Sequence, residues 1–204
     1  MIQSEVLEVT KRAETGKKAT KKLRKEEKIP CNMYGGGSNI ELYCNYSDVR
    51  KFIYTPSFHV VKLKFEEEEH ETIIREVQFH PVTDRILHID FLELLDDKKV
   101  TVEIPLKTVG RSKGEKEGGK VNMKLRKLKI KAYPKYLATH FDVNIEHLGL
   151  GKSIKVAELE YENVEILTLS TVAIVSVEVP RALKGAAKGE EAAEGEKETE
   201  AATV

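Results

Sequence analysis

Residues 11–37 read KRAETGKKATKKLRKEEKIPCNMYGGG. Between Lys11 and Lys25 stand eight basic residues (Lys11, Arg12, Lys17, Lys18, Lys21, Lys22, Arg24 and Lys25) and one acid, Glu14, a net charge of 8 − 1 = +7. Gly16 punctuates a turn. From Lys17 the spacing predicts a short helix with Ala19 and Leu23 on one stripe, and with Lys17, Lys21, Arg24 and Lys28 at i, i+4, i+7 and i+11 on another. Pro30 is expected to fix a break, after which CNMY forms a brief strand that ends in a triple-glycine turn with Tyr34 at its rim. Four like charges on one helix face are costly unless solvent or a polyanion screens them. The stretch therefore points to phosphate, RNA first, against the plainer reading of a solvated lysine-rich helix.

Outward from this stretch the chain reads as strands. Ile2 to Val9 is rich in β-branched and apolar residues, and Ile40 to Asn45 (IELYCN) alternates as the second arm of a hairpin across the glycines. Ser47 or Asp48 can cap a short helix with Val49, Phe52 and Ile53 at i, i+3 and i+4, stopped by Pro56. His59 to Phe65 alternates, Glu66 to Glu69 is an acidic turn, and Glu71 to His80 returns as the partner strand. In Ile86 to Leu94 (ILHIDFLEL), Leu87, Ile89 and Phe91 share one face and Ile86, His88, Asp90 and Leu92 the other. His88 and Asp90 thus point the same way, roughly 7 Å apart along the strand. No Ser, Cys or third carboxylate stands at a spacing that would complete a nucleophilic site, so no catalytic residue and no enzymatic activity is expected.

The run Asp96-Asp97-Lys98-Lys99 is a charged boundary, and beyond it Val100, Val102, Ile104 and Leu106 alternate as a new strand. The expected organisation is residues 1–95 as one domain, 96–180 as a second β domain and 181–204 as an acidic tail. Arg111 to Lys120 (RSKGEKEGGK) reads as a loop too polar to be buried. Lys124, Arg126 and, after a phase slip, Lys127, Lys129 and Lys131 form a second basic patch, either RNA-facing or an edge strand protected by lysine. Phe141 to Ile145 and Ile154 to Leu159 are short strands, and Val164 to Pro180 supplies one or two more. The tail has too few large apolar residues to offset its ordering entropy and is expected to be disordered.

Formal charge balances, with 34 basic and 34 acidic residues, but the acids are concentrated late: Leu183 to Val204 holds six Glu and three Lys. The two cysteines, Cys31 and Cys44, have no C-x-x-C partner and no ligand cluster around them, so reduced structural thiols and no metal are expected. No apolar run reaches the ~18 residues of a membrane span, and the first residues lack the basic-then-apolar layout of a secretion signal, so the expected compartment is cytoplasmic.

With Arg12, Gly16, Lys17, Ala19, Leu23, Arg24, Ile29, Pro30, Tyr34, Gly35 and Gly36 in place, then VQFHPVTDRILHIDF (77–91), the glycines of 118–119, LRKLKIKAYPKYL (125–137) and LGLGKSIKV (148–156), the chain resembles a known family. This is the bacterial large-subunit ribosomal protein twenty-five family, in its longer, two-domain Ctc (general stress protein) form, which binds 5S rRNA. The resemblance covers nearly all of residues 1–180. It implies a mainly β (α+β) fold, with a six-stranded barrel-like N-terminal domain bearing short helices, set against an irregular 5S rRNA helix. The mainly β second domain would face other ribosomal RNA. By position, the implied RNA-binding residues are Arg12, Lys17, Thr20, Lys21, Lys22, Arg24, Tyr34, Arg75, His88 and Asp90; several members have Arg at the places of Lys21 and Lys22. The implied partners are 5S rRNA, 23S rRNA and neighbouring large-subunit proteins, with no cofactor, membrane or small-molecule substrate. The alternative is a stress-related protein-interaction module that does not bind RNA.

Overall fold

The computed structural model describes residues 4–37, 39–66, 68–161 and 163–180; the expected disordered tail lies outside them. Backbone proximity divides the chain into two compact units. The first takes the chain to Pro105 with Lys129–Phe141 and a short stretch ending at Leu167; the second takes Leu106–Leu128, Asp142–Tyr161 and the chain from Thr168.

In the first unit the strands β1 (Ser4–Glu8), β2 (Thr10–Lys11), β3 (Lys28–Tyr34), β4 (Ile40–Asn45), β5 (Val60–Phe65), β6 (Glu68–Phe79) and β7 (Ile86–Glu93) form one sheet in the order β1-β5-β6-β7-β3-β4-β2. Its two ends are the same stretch of chain. β1 runs parallel to β5, and the Val9 N–H still donates to the Lys64 carbonyl at 3.1 Å. One residue later Thr10 pairs with Tyr43 of β4, and the Arg12 N–H donates to the Glu41 carbonyl at 3.0 Å. A single kinked N-terminal strand thus pairs with both edges and nearly closes the sheet. Counted this way, the seven segments are the six strands of the expected barrel, and closure removes the exposed edges that would otherwise recruit other strands. The interior is aliphatic and aromatic, with Leu7, Leu42, Leu63, Ile89 and Phe91 at most 1% exposed.

Two helices interrupt the strands, α1 (Lys17–Lys25) and α2 (Tyr46–Ile53). α2 buries Val49 and Phe52 as its spacing predicts. Its N-cap is Asn45, two or three residues ahead of the expected caps, and the Asn45 Nδ2 donates to Asp48 Oδ2 at 3.2 Å. The break before β3 also differs from expectation. Pro30 lies buried inside β3 opposite Tyr43, and the turn is made instead by Glu26 and by Glu27, whose φ of 57° is left-handed. Pro30 is tolerated because pairing with β7 begins only at the next residue, Cys31 with Ile89.

The rest of the described chain is β as well. β8 (Val100–Val109), β10 (Lys127–Ala132), β11 (Phe141–Asn144) and β13 (Glu165–Ile166) form a sheet in the order β11-β8-β10-β13; β9 (Lys120–Met123), β12 (Ser153–Lys155) and β14 (Ala173–Glu178) form another, in the order β12-β14-β9. The phase slip between Lys124 and Lys127 is therefore a change of sheet, and the second basic patch is not one strand face. Arg111 to Lys120 is not a fully exposed loop. Ser112, fully buried, accepts a hydrogen bond at its Oγ from the Glu115 N–H at 3.0 Å and caps α3 (Lys113–Lys116). Gly114 packs so closely that a Cβ there would meet the backbone of Gly149 and Leu150 at 2.7 Å. Small residues at two positions allow a polar segment to be tucked in.

Candidate nucleic-acid interface

α1 is short and carries no buried residue; only Ala19, Thr20 and Leu23 are half-buried. Nine residues are fewer than an isolated helix needs, and Lys17 and Lys18 oppose the positive end of the helix dipole. The Thr20 hydroxyl donates back toward the carbonyls of Gly16 and Lys17, at 3.0 and 3.1 Å. What ties the helix to the sheet is Arg24, whose Nε donates to the Leu87 carbonyl at 3.1 Å. Leu87 lies just ahead of the point where β7 begins to pair with β3, so Arg24 satisfies a carbonyl at the place where the two strands diverge. Pro30, on the outward phase of β3, is buried because α1 lies against that strand.

The outward phase continues from under the helix across three strands. Asn32 stands opposite Asp90, Tyr34 opposite Leu92, Glu76 opposite Asp90 and Gln78 opposite His88. Directly paired residues project from the same face, so these side chains form one patch. Within it His88 Nδ1 and Asp90 Oδ1 are 3.2 Å apart, with side chains 19% and 24% exposed. The two groups that alternation places on one face are in contact. Among the described residues neither His88 Nε2 nor Asp90 Oδ2 has a protein partner, which leaves one ring nitrogen and one carboxylate oxygen for an external hydrogen bond.

Tyr34, 36% exposed, stands where β3 enters the glycine turn. Gly35 (φ +125°) could not carry a side chain, since a Cβ would sit 3.0 Å from the Glu93 carbonyl oxygen, and a Cβ on Gly36 would overlap the Glu93 carboxylate. Glu93 is held in turn by His70, whose Nδ1 lies 2.7 Å from Glu93 Oε1, whose Nε2 lies 3.3 Å from Glu68 Oε2, and whose ring stacks on Phe65 at 5.0 Å. The hydrogen bond to Glu93 raises the His70 pKa above its ordinary 6.5, aided by Glu68 and opposed by burial. A raised pKa means that the stabilisation is fully present below pH 6.5 and is lost as pH rises through the folded-state value. The urea midpoint of the first unit is expected to fall as pH goes from 6 upward past 7, and His70→Gln should flatten that slope; an identical slope in the variant would show that the Glu68–His70–Glu93 bridge contributes nothing.

Arg75 is the extra residue at a register shift between Ile74 and Glu76, and its Nη1 donates to the Thr101 carbonyl at 2.7 Å. With Tyr34, Gly35 and Leu92 it lines a hollow of about 410 Å³ that also receives Lys98 and Lys99. Arg12 is placed differently from the other candidates. Its side chain is 6% exposed, 3.5 Å from Glu41 Oε2 and donating to the Glu14 carbonyl at 3.2 Å, so it belongs to the closure seam. Lys17, Lys21 and Lys22 are exposed on α1. The structure therefore joins the α1 ridge, Tyr34, Arg75, His88 and Asp90 on the outer side of one sheet and sets Arg12 in its wall. Sequence reasoning passed over Asn32 and Gln78, which share the face; alternation within each strand gives their phase, but only the register brings them beside Asp90 and His88. Among the described residues no cluster could hold a metal ion, and no helix is long and apolar enough to cross a membrane.

Comparison with known proteins gives two family matches in series. Residues 7–91 match the Ribosomal L25p family, and residues 99–181 match Ribosomal protein TL5, C-terminal domain. The large ribosomal subunit protein bL25 of Porphyromonas gingivalis is 42% identical over 180 residues, 87% of this chain and 94% of that protein. The bL25 of Parabacteroides distasonis is 39% identical over 183 residues (89% and 94%), and that of Bacteroides thetaiotaomicron 35% over 179 residues (88% and 91%).

Proposed function

Because the chain belongs to the Ribosomal L25p family, with a TL5 C-terminal domain following, and is thereby a non-enzymatic structural protein of the large ribosomal subunit, we propose that its N-terminal domain, to about Leu95, binds 5S rRNA. Residues 96–180 then contact 23S rRNA and neighbouring large-subunit proteins. The observation that carries the first assignment is the hydrogen bond from Arg24 to Leu87, which locks a cationic helix beside the strand that presents His88 and Asp90. A wide, shallow RNA minor groove can meet both at once, phosphates on the ridge and base edges or 2′-hydroxyls on the strand. Asp90 and Glu76 would be repelled by bare phosphate; a carboxylate fits such a surface by accepting from an exocyclic amine or a 2′-hydroxyl. Lys17, Thr20, Lys21, Lys22 and Arg24 act from the helix, Tyr34 and Arg75 from the rim of the hollow, and Arg12 by holding the seam on which the helix begins.

If about six basic groups neutralise phosphates, the logarithm of the affinity for a 5S rRNA transcript falls with the logarithm of salt concentration at a slope of roughly −4 to −5. Equilibrium binding across a potassium chloride series measures this. Binding that is indifferent to salt would remove the reading.

A further inference from the structure

We propose that the cleft at the foot of α1, lined by Arg24, Lys28, Tyr46 and Arg85, is a seat for one RNA phosphodiester, with Arg85 its principal free cation; the proposal rests on the RNA reading above and extends it to Lys28, Tyr46 and Arg85, which that reading does not use. The cleft has a volume of about 300 Å³, and its floor is the apolar start of two strands, Ile29, Ile86 and Leu87. Basic side chains reach it from three separate elements: Arg24 from the helix, Lys28 from the first position of β3 and Arg85 from the residue before β7.

Their commitments differ. Arg24 is oriented by its Nε bond to Leu87, which leaves the two terminal nitrogens of the guanidinium for an outside acceptor. Lys28 is partly engaged, 3.1 Å from Glu26 Oε2 and over the Tyr43 ring at 5.3 Å. Arg85 is exposed, and among the described residues its guanidinium has no partner, while its backbone is fixed because its carbonyl accepts from the His80 N–H at 2.8 Å. The one acid on the lining is Glu27, which its left-handed backbone sets at the turn after the helix. Two guanidiniums at one small cleft suit a phosphodiester, whose two non-bridging oxygens can each accept from a fork, and an RNA backbone supplies that group. The seat lies on the helix side of the His88 and Asp90 patch, so an RNA strand crossing that patch would be gripped at its flank.

The test uses the full chain and a 5S rRNA transcript, with affinity measured across a potassium chloride series. Arg85→Gln is expected to weaken binding three- to tenfold at moderate salt and to make the slope shallower by about 0.7–0.9, the share of one phosphate. Arg85→Lys should keep the wild-type slope. Lys64→Gln, which removes an exposed charge from β5, should change neither quantity. Wild-type affinity and slope in Arg85→Gln, or an equal drop in Lys64→Gln, overturns the seat while leaving the RNA reading standing. Absence of salt-dependent binding by the wild-type chain overturns both.

Discussion

The double variant Lys21→Ala, Arg24→Ala binds a 5S rRNA transcript markedly more weakly than the wild type, and its salt slope is shallower by about 1.4–1.8, the share of two phosphates. Arg24 alone accounts for about 1–3 kcal/mol if it reads a base edge, and for less if it meets only phosphate. The structure adds a second reason for its weight. Arg24 is the side chain that fixes α1 to the sheet through Leu87, so its loss frees a nine-residue helix that carries no buried side chain. A helix that must be re-ordered on binding adds an entropic cost to the lost charge. Arg24→Lys separates the two contributions: it retains the charge, and hence the slope, but not the planar fork that bonds Leu87 and an external acceptor together. Equilibrium binding over a salt series, with amide exchange of residues 17–25 in the free protein, reads both. Equal affinity for the wild type and the double variant would show that the helix is not the contact.

Local patterns in the chain were enough for some of this surface and not for the rest. The β3–β4 hairpin follows from IELYCN and three glycines, and the face of β7 follows from strict alternation of Ile89 and Phe91 with His88 and Asp90. These signals lie within one or two strands, where period and turn chemistry decide. Barrel closure depends on pairings between distant segments, β1 parallel to β5 and β3 parallel to β7, which no local pattern encodes. Arg12 shows the consequence. As one of eight basic residues in a row it reads as part of the ridge, yet it lies where the kinked N-terminal strand crosses to β4, and Glu41 takes its charge. Pro30 shows the same from the other side: proline is a break signal within a chain, but a strand tolerates it where only one neighbour is yet paired. The lysines from 124 to 131 look like one slipping strand because the bend between β9 and β10 leaves no glycine or proline mark.

Phe91→Ala is expected to destabilise the first unit by about 3–5 kcal/mol, the cost of removing a buried aromatic side chain and leaving a cavity. Phe91 is fully buried and heads the largest side chains of the core, opposite Met33 of β3 and Ile74 of β6. Domains of this size have roughly 5–15 kcal/mol in hand, so the loss approaches the whole margin at the low end of that range. The consequence for function follows from the period of a strand. Ile89 and Phe91 hold β7 in the register that turns His88 and Asp90 outward, and a slip of one residue would exchange the two sets of side chains. A core that no longer discriminates between these registers loses the contact pair even where the backbone still pairs. Phe91→Leu leaves a smaller cavity and is expected to cost less than Phe91→Ala. Urea unfolding of the two variants measures the stabilities, and RNA affinity at low temperature, corrected for the folded fraction, measures the register. An unchanged midpoint in Phe91→Ala would deny Phe91 its place in the core; RNA affinity that tracks only the folded fraction would show that closure, rather than Phe91, sets the outward face of β7.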